Sequence, residues 1–173
     1  MASAGAMLAV AVVSCSHIAT AVRAPETSDP QPAGVAPPAP QPAADGPCSY
    51  LSAASVQAAN GERVTAVRVS VTGTNQPYPA CFFLTYHDAV QLRTWIVVAS
   101  PQTARATVDA AAPVATSDPA ELPGGWSGGS LPTTDGAVFA VARQGTAVVI
   151  VTNQRYTIGA RRIAEQVIAN LGL

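Results

Sequence analysis

Nucleophilic catalysis requires a nucleophile, a base and a group that orients the base. After residue 46 the sequence offers one histidine, His87, set between Tyr86 and Asp88, with many serines as candidate nucleophiles. No G-x-S-x-G elbow accompanies them. His87 also falls where the chain reads as a turn, in which a solvated histidine is the ordinary outcome. Acid–base chemistry on glycosides needs two carboxylates facing one cleft, and the seven acids after residue 46 are scattered singly. The stretch Gly124-Gly125-Trp126-Ser127-Gly128-Gly129 has the glycine density of a phosphate loop. It lacks the closing Gly-Lys-Ser/Thr, and all nine basic residues of the chain are arginine. The first expectation there is a sharp backbone bend with Trp126 packed back onto a sheet. The alternative is a partner or ligand surface carried by Gly125, Trp126 and Ser127, with Trp95 as a second candidate on a sheet face. The residues thus predict no catalytic set and no cofactor.

Cysteine chemistry is more informative. The chain has three cysteines, Cys15, Cys48 and Cys81. Val12-Val13-Ser14-Cys15 resembles the bacterial lipobox, in which the cysteine thiol receives a diacylglyceryl group, the peptide before it is removed, and the new amine is often acylated, for instance with palmitate. The apolar run Ala6 to Val13 has the length of a signal-peptide core and falls well short of the roughly 20 residues that span a bilayer. No basic residue precedes Arg23, a departure from the usual signal. Residues 1–14 are therefore expected to be a lipoprotein-type signal, with Cys15 the lipid attachment point. A plain signal cleaved further on, which discards Cys15 and leaves a secreted protein, is the alternative. The expected location is the outer face of the cytoplasmic membrane. In an oxidising compartment Cys48 and Cys81 are then expected to pair. Two cysteines and one histidine do not complete a zinc site, so no metal is expected.

Eight of the fifteen prolines lie in residues 24–47. That composition buries too little apolar surface to offset chain entropy, and residues 15–45 read as a disordered, polyproline-like tether. A PxxP recognition peptide is disfavoured by the lack of flanking basic residues. The remainder, 46–173, is about 125 residues, enough for one core. A net charge of −1 gives no electrostatic footprint for nucleic acid.

Within that domain Ser49 to Ala59 reads as a short helix stopped by Asn60-Gly61. Alternation predicts strands over 63–71, 81–86 and 90–99, with Arg93, Trp95 and Val97 on one face of the last. Ser100-Pro101 is a cap followed by proline at the first helical position, and the helix ends before Pro113. Residues 113–135, with four prolines and a glycine run, read as a long irregular loop. Ala137–Ala142 and Ala147–Thr152 form a hairpin around Gln144-Gly145. A last helix starts near Thr157, with Ile163, Val167 and Leu171 aligned and Arg161 able to pair with Glu165. Arg161-Arg162 reads as a solvated face. The predicted class is α+β, with about five mostly antiparallel strands and helices on one face.

Several stretches resemble an actinobacterial domain of unknown function, family 2020. They are Pro47-Cys48-Ser49-Tyr50-Leu51, Ala80-Cys81-Phe82-Phe83, Ala112-Pro113-Val114, Gly125-Trp126-Ser127-Gly128-Gly129, Asp135-Gly136-Ala137-Val138 and Thr152-Asn153-Gln154. The resemblance covers residues 46–173. It implies an exported, often lipid-anchored protein, supports the Cys48–Cys81 pair, and carries over no catalytic residue. In element order and tether the chain is also similar to the sandwich of photosystem oxygen-evolving subunits and mycobacterial envelope lipoproteins. The expected function is a non-enzymatic, tethered envelope module that binds a partner protein or an apolar small molecule. An envelope enzyme is the alternative. A cleft collecting His87, an acid and a serine would favour the enzyme, and an apolar cavity of several hundred Å³ would favour ligand carriage.

Overall fold

The computed structural model describes Met1 and residues 34–173. The expected signal, Cys15 and the first part of the expected tether lie outside the described residues. The strands are β1 (Ala44–Asp45), β2 (Ala66–Val69), β3 (Cys81–Leu84), β4 (Val90–Val98), β5 (Asp118–Leu122), β6 (Trp126–Thr133), β7 (Gly136–Arg143) and β8 (Thr146–Thr152). The helices are α1 (Ala53–Asn60), α2 (Pro101–Ala111) and α3 (Thr157–Leu171). The strands form one sheet in the order β1-β2-β3-β4-β8-β7-β6-β5, antiparallel throughout. Two four-stranded meanders thus meet at the central β4–β8 pair, where seven registered pairs run from Leu92–Thr152 to Val98–Thr146.

The helices are set by their ends. Ser52 and Ser100 each accept a hydrogen bond from the backbone N–H three residues on, capping α1 and α2. Gly61 and Gly172 close α1 and α3 in the left-handed conformation. Ala160, Ile163, Ala164 and Val167 give α3 one buried stripe.

The expectation of helices on one face fails, as does the strand number. One face carries Phe83, Leu92, Ile96, Phe139, Val148 and Ile150 under α1 and α3. The other carries Phe82, Leu84, Trp95, Val97, Ala140 and Val149 under α2. Both faces of the central strands are apolar, so both need cover. The extra strands are β1, β5 and β6, and the last two replace the expected irregular loop. Their prolines and glycines argue against strand by local preference. Pro119 is tolerated because β5 is an edge strand. Gly124 and Gly125 sit at φ +85° and +84°, and make the tight β5–β6 turn that side chains would strain.

Cys48 and Cys81 form a disulfide with Cα atoms 5.6 Å apart, tying the segment before α1 to the first residue of β3. Beside it the buried Tyr50 hydroxyl donates to the carbonyls of Pro79 (3.0 Å) and Thr94 (3.2 Å). Burial pushes its pKa well above the ordinary 10.0. The folded state therefore keeps a proton that the unfolded chain loses above pH 10, and stability falls as pH rises past that point. The slope from this one group is about 1.4 kcal/mol per pH unit. Denaturant unfolding at stepped alkaline pH should show this slope in the native chain, and Tyr50→Phe should flatten it. An identical alkaline slope in the variant would refute the assignment.

Candidate functional site

Eight strands about 4.8 Å apart make a sheet roughly 34 Å wide, and a helix is only about 10 Å across. The single helix α2 cannot cover its face alone. Residues 34–43, Gly-Val-Ala-Pro-Pro-Ala-Pro-Gln-Pro-Ala, complete the cover. They run as a strap from α2 to β1, and so belong to the domain's surface where composition assigns them to the tether. Gly34 presses on α2: a Cβ there would lie 2.2 Å from the Gln102 carbonyl carbon, so only glycine fits. At the other end the Ala43 N–H donates to Val69 O (2.9 Å), and Ala44 and Asp45 pair with Val69 and Arg68. Between these ends the four prolines have no N–H to donate, and Val35 is 81% exposed. The strap is a roof laid on apolar side chains, not a strand zipped into the sheet.

Two clefts open beneath this roof. One, of about 230 Å³, lies between Ala36, Pro37 and Ala39 of the strap, α2, and the floor residues Arg93, Trp95, Val138 and Val151. The other, of about 380 Å³, lies between Gln41 and Pro42 of the strap and Phe82, Val90, Arg93 and Val151 of the sheet, with Asp135, Thr152 and Asn153 also lining it. Arg93 and Val151 belong to both. The Arg93 guanidinium carbon sits 5.6 Å from the centre of the Trp95 ring, a cation–π approach that leaves the planar edge of the guanidinium for hydrogen bonding. Trp95 is 8% exposed. Sequence alternation places Arg93, Trp95 and Val97 on one face correctly. The strap over them is what alternation cannot show.

The other candidates are dispersed. Trp126 is 1% exposed and belongs to the core under α3, so it is not the partner surface its glycine-rich setting suggests. Gly125 and Ser127 beside it are exposed. His87 stands exposed in the 3₁₀ turn Tyr86–Asp88 between β3 and β4, at φ +61°. That leaves it outside both clefts. Arg161 pairs with Glu165 at 3.1 Å on the solvated face of α3, and Arg162 is exposed there too. Among the described residues no group of three His, Cys, Asp or Glu side chains is arranged to hold a metal ion, and no helix is long and apolar enough to cross a membrane.

One polar cluster escaped sequence reasoning. A bulge between β3 and β4 turns Gln91 inward. Its side chain donates to Arg63 O (3.0 Å) and accepts from Asn60 Nδ2 (3.4 Å), while the Thr152 hydroxyl donates to Asn60 Oδ1 (3.1 Å). Asn153 and Gln154 donate to the Glu62 carboxylate. The amide groups satisfy one another and lock the end of α1 to the ends of β4 and β8. This explains Thr152-Asn153-Gln154 as architecture.

A family model described as a domain of unknown function, DUF2020, matches residues 32–173. Its start coincides with the strap. No curated protein matches the chain.

Proposed function

The chain belongs to the DUF2020 family, and we propose that it is a non-enzymatic binding module of the cell envelope, held to the membrane by lipid on Cys15. The observation that carries the binding reading is the pair of strap-roofed clefts that share Arg93 and Val151, with Trp95 on the floor of the smaller one. They offer apolar side chains beside a shared cation, with polar groups of the larger cleft at Gln41, Asp135, Thr152 and Asn153, the composition of a recognition site. His87, the base that a serine–histidine mechanism would use, lies exposed in a turn outside both clefts, which supports the binding reading over that mechanism.

The anchor reading rests on Val12-Val13-Ser14-Cys15 and the short apolar run before it. Export also accounts for the closed Cys48–Cys81 bridge, since such bridges persist in oxidising compartments. In cells, Cys15→Ala should move the protein from the detergent phase to the aqueous phase of a Triton X-114 partition. Unchanged partitioning would sink the lipid anchor. Crosslinking in intact cells, followed by mass spectrometry, should recover a reproducible partner or a bound small molecule. Recovery of neither would defeat the binding reading.

A further inference from the structure

Resting on that binding reading, we infer that the strap-covered face is a site for a single-chain amphiphile with a monoanionic head, a free acyl carboxylate, whose head is held by Arg93. The argument starts from charge. Arg93 is half-buried between the two clefts and makes no side-chain hydrogen bond or ion pair among the described residues. A guanidinium carries five N–H donors in a fork that matches a carboxylate, and those of Arg93 take no acceptor among the described side chains. The guanidinium carbon lies 5.6 Å from the Trp95 ring centre, and Arg93 lines both clefts.

Shape gives the rest of the ligand. Apolar side chains lie on either side of Arg93: Pro37, Trp95 and Val138 in one cleft, Phe82 and Val90 in the other. The two clefts, of about 230 and 380 Å³, take successive strap residues, Ala36 to Ala39 and then Gln41 and Pro42, and share Arg93 and Val151. Joined by lifting the strap, they fall within the roughly 300–1,000 Å³ of small-molecule sites. An acyl chain replaces the apolar contacts that the strap provides, and the prolines of the strap surrender no backbone hydrogen bond when it lifts. Asp135 also lines the larger cleft, and its carboxylate opposes an anionic head there, a dianionic phosphate about twice as strongly as a carboxylate.

The test uses the full chain and isothermal titration with three twelve-carbon probes below their micelle thresholds: dodecanoate, dodecanol and dodecyl phosphate. Dodecanoate should bind one per chain, about tenfold or more tighter than dodecanol, the usual worth of a hydrogen bond to a charged group. Arg93→Met keeps the apolar stem over Trp95 and should bring dodecanoate down to the dodecanol level, with Arg93→Gln as a second variant. Asp135→Asn should strengthen dodecyl phosphate more than dodecanoate. Equal binding of dodecanoate and dodecanol, or undiminished dodecanoate binding by both Arg93 variants, overturns the anionic site and leaves a binding module for neutral ligands. Binding of none of the three probes also overturns it, and the crosslinking result then decides the module reading separately.

Discussion

Trp126→Ala should lower the unfolding free energy by about 3–5 kcal/mol, the range for removing a buried indole. Against a total of about 5–15 kcal/mol for an ordinary domain, that loss brings the protein near its stability threshold. The expectation follows from position. Trp126 opens β6, is 1% exposed, and packs with Leu122, Phe139 and the buried stripe of α3. Arg143 closes the cavity from outside, its guanidinium carbon 4.9 Å from the ring centre and its Nη1 donating to Gly124 O at 3.4 Å. The indole N–H is buried without a partner among the described residues. Trp126→Phe therefore removes an unsatisfied donor together with some packing, and should cost much less than alanine. Ser127→Ala, one residue on and exposed, should stay within about 0.5 kcal/mol. Urea unfolding of the three variants checks the ordering. An alanine cost as small as that of Ser127→Ala would place Trp126 on the surface.

Opening the Cys48–Cys81 bridge should cost about 3–4 kcal/mol if loop entropy in the unfolded chain dominates. The bonded residues are 33 positions apart, and the loop contains α1 and β2. Alanine is the cleaner replacement at both positions, because Cys81 is fully buried and a serine hydroxyl there would add its own desolvation cost. The double variant Cys48→Ala, Cys81→Ala should unfold at lower urea, and amide protection in α1 should fall first. A shift below about 1 kcal/mol would mean that the unfolded chain is already compact around this loop. Intact mass of the native chain, before and after reduction and alkylation, gives the bonding state directly. Two alkylatable thiols at Cys48 and Cys81 before reduction would contradict the bridge.

How far the residues announced this arrangement differs from element to element. β2 and β4 are legible from alternation, and β3, β7 and β8 as short, nearly continuous apolar runs. The helices α2 and α3 were legible from Ser100-Pro101 and from the Ile163–Val167 spacing. The same alternation put Arg93 and Trp95 on one sheet face. It gave no sign that a proline-rich segment some fifty residues earlier roofs them. The cue that was available, glycine at position 34 ahead of the prolines, has meaning only once α2 lies 2.2 Å away from its missing Cβ. The first expectation for Trp126, packed back rather than exposed, holds, and only its alternative as a partner surface falls. Its glycine neighbours describe a bend, and which way the ring faces depends on α3 arriving from thirty residues later.

By itself, then, the sequence determined what each residue's own backbone and hydration preferences dictate: the inner strands, the capped helices, the two-cysteine bridge and the α+β class. Tertiary structure decided the rest. β1, β5 and β6 hold strand geometry through ladder bonds to neighbours, with Pro119, Gly128 and Gly129 offering no local preference for it. Both sheet faces are covered because the central strands are apolar on both sides. The cover for one of them comes from a segment whose composition alone predicts disorder. That segment is ordered by the apolar face it lies on, and a composition count cannot include a surface built by other parts of the chain.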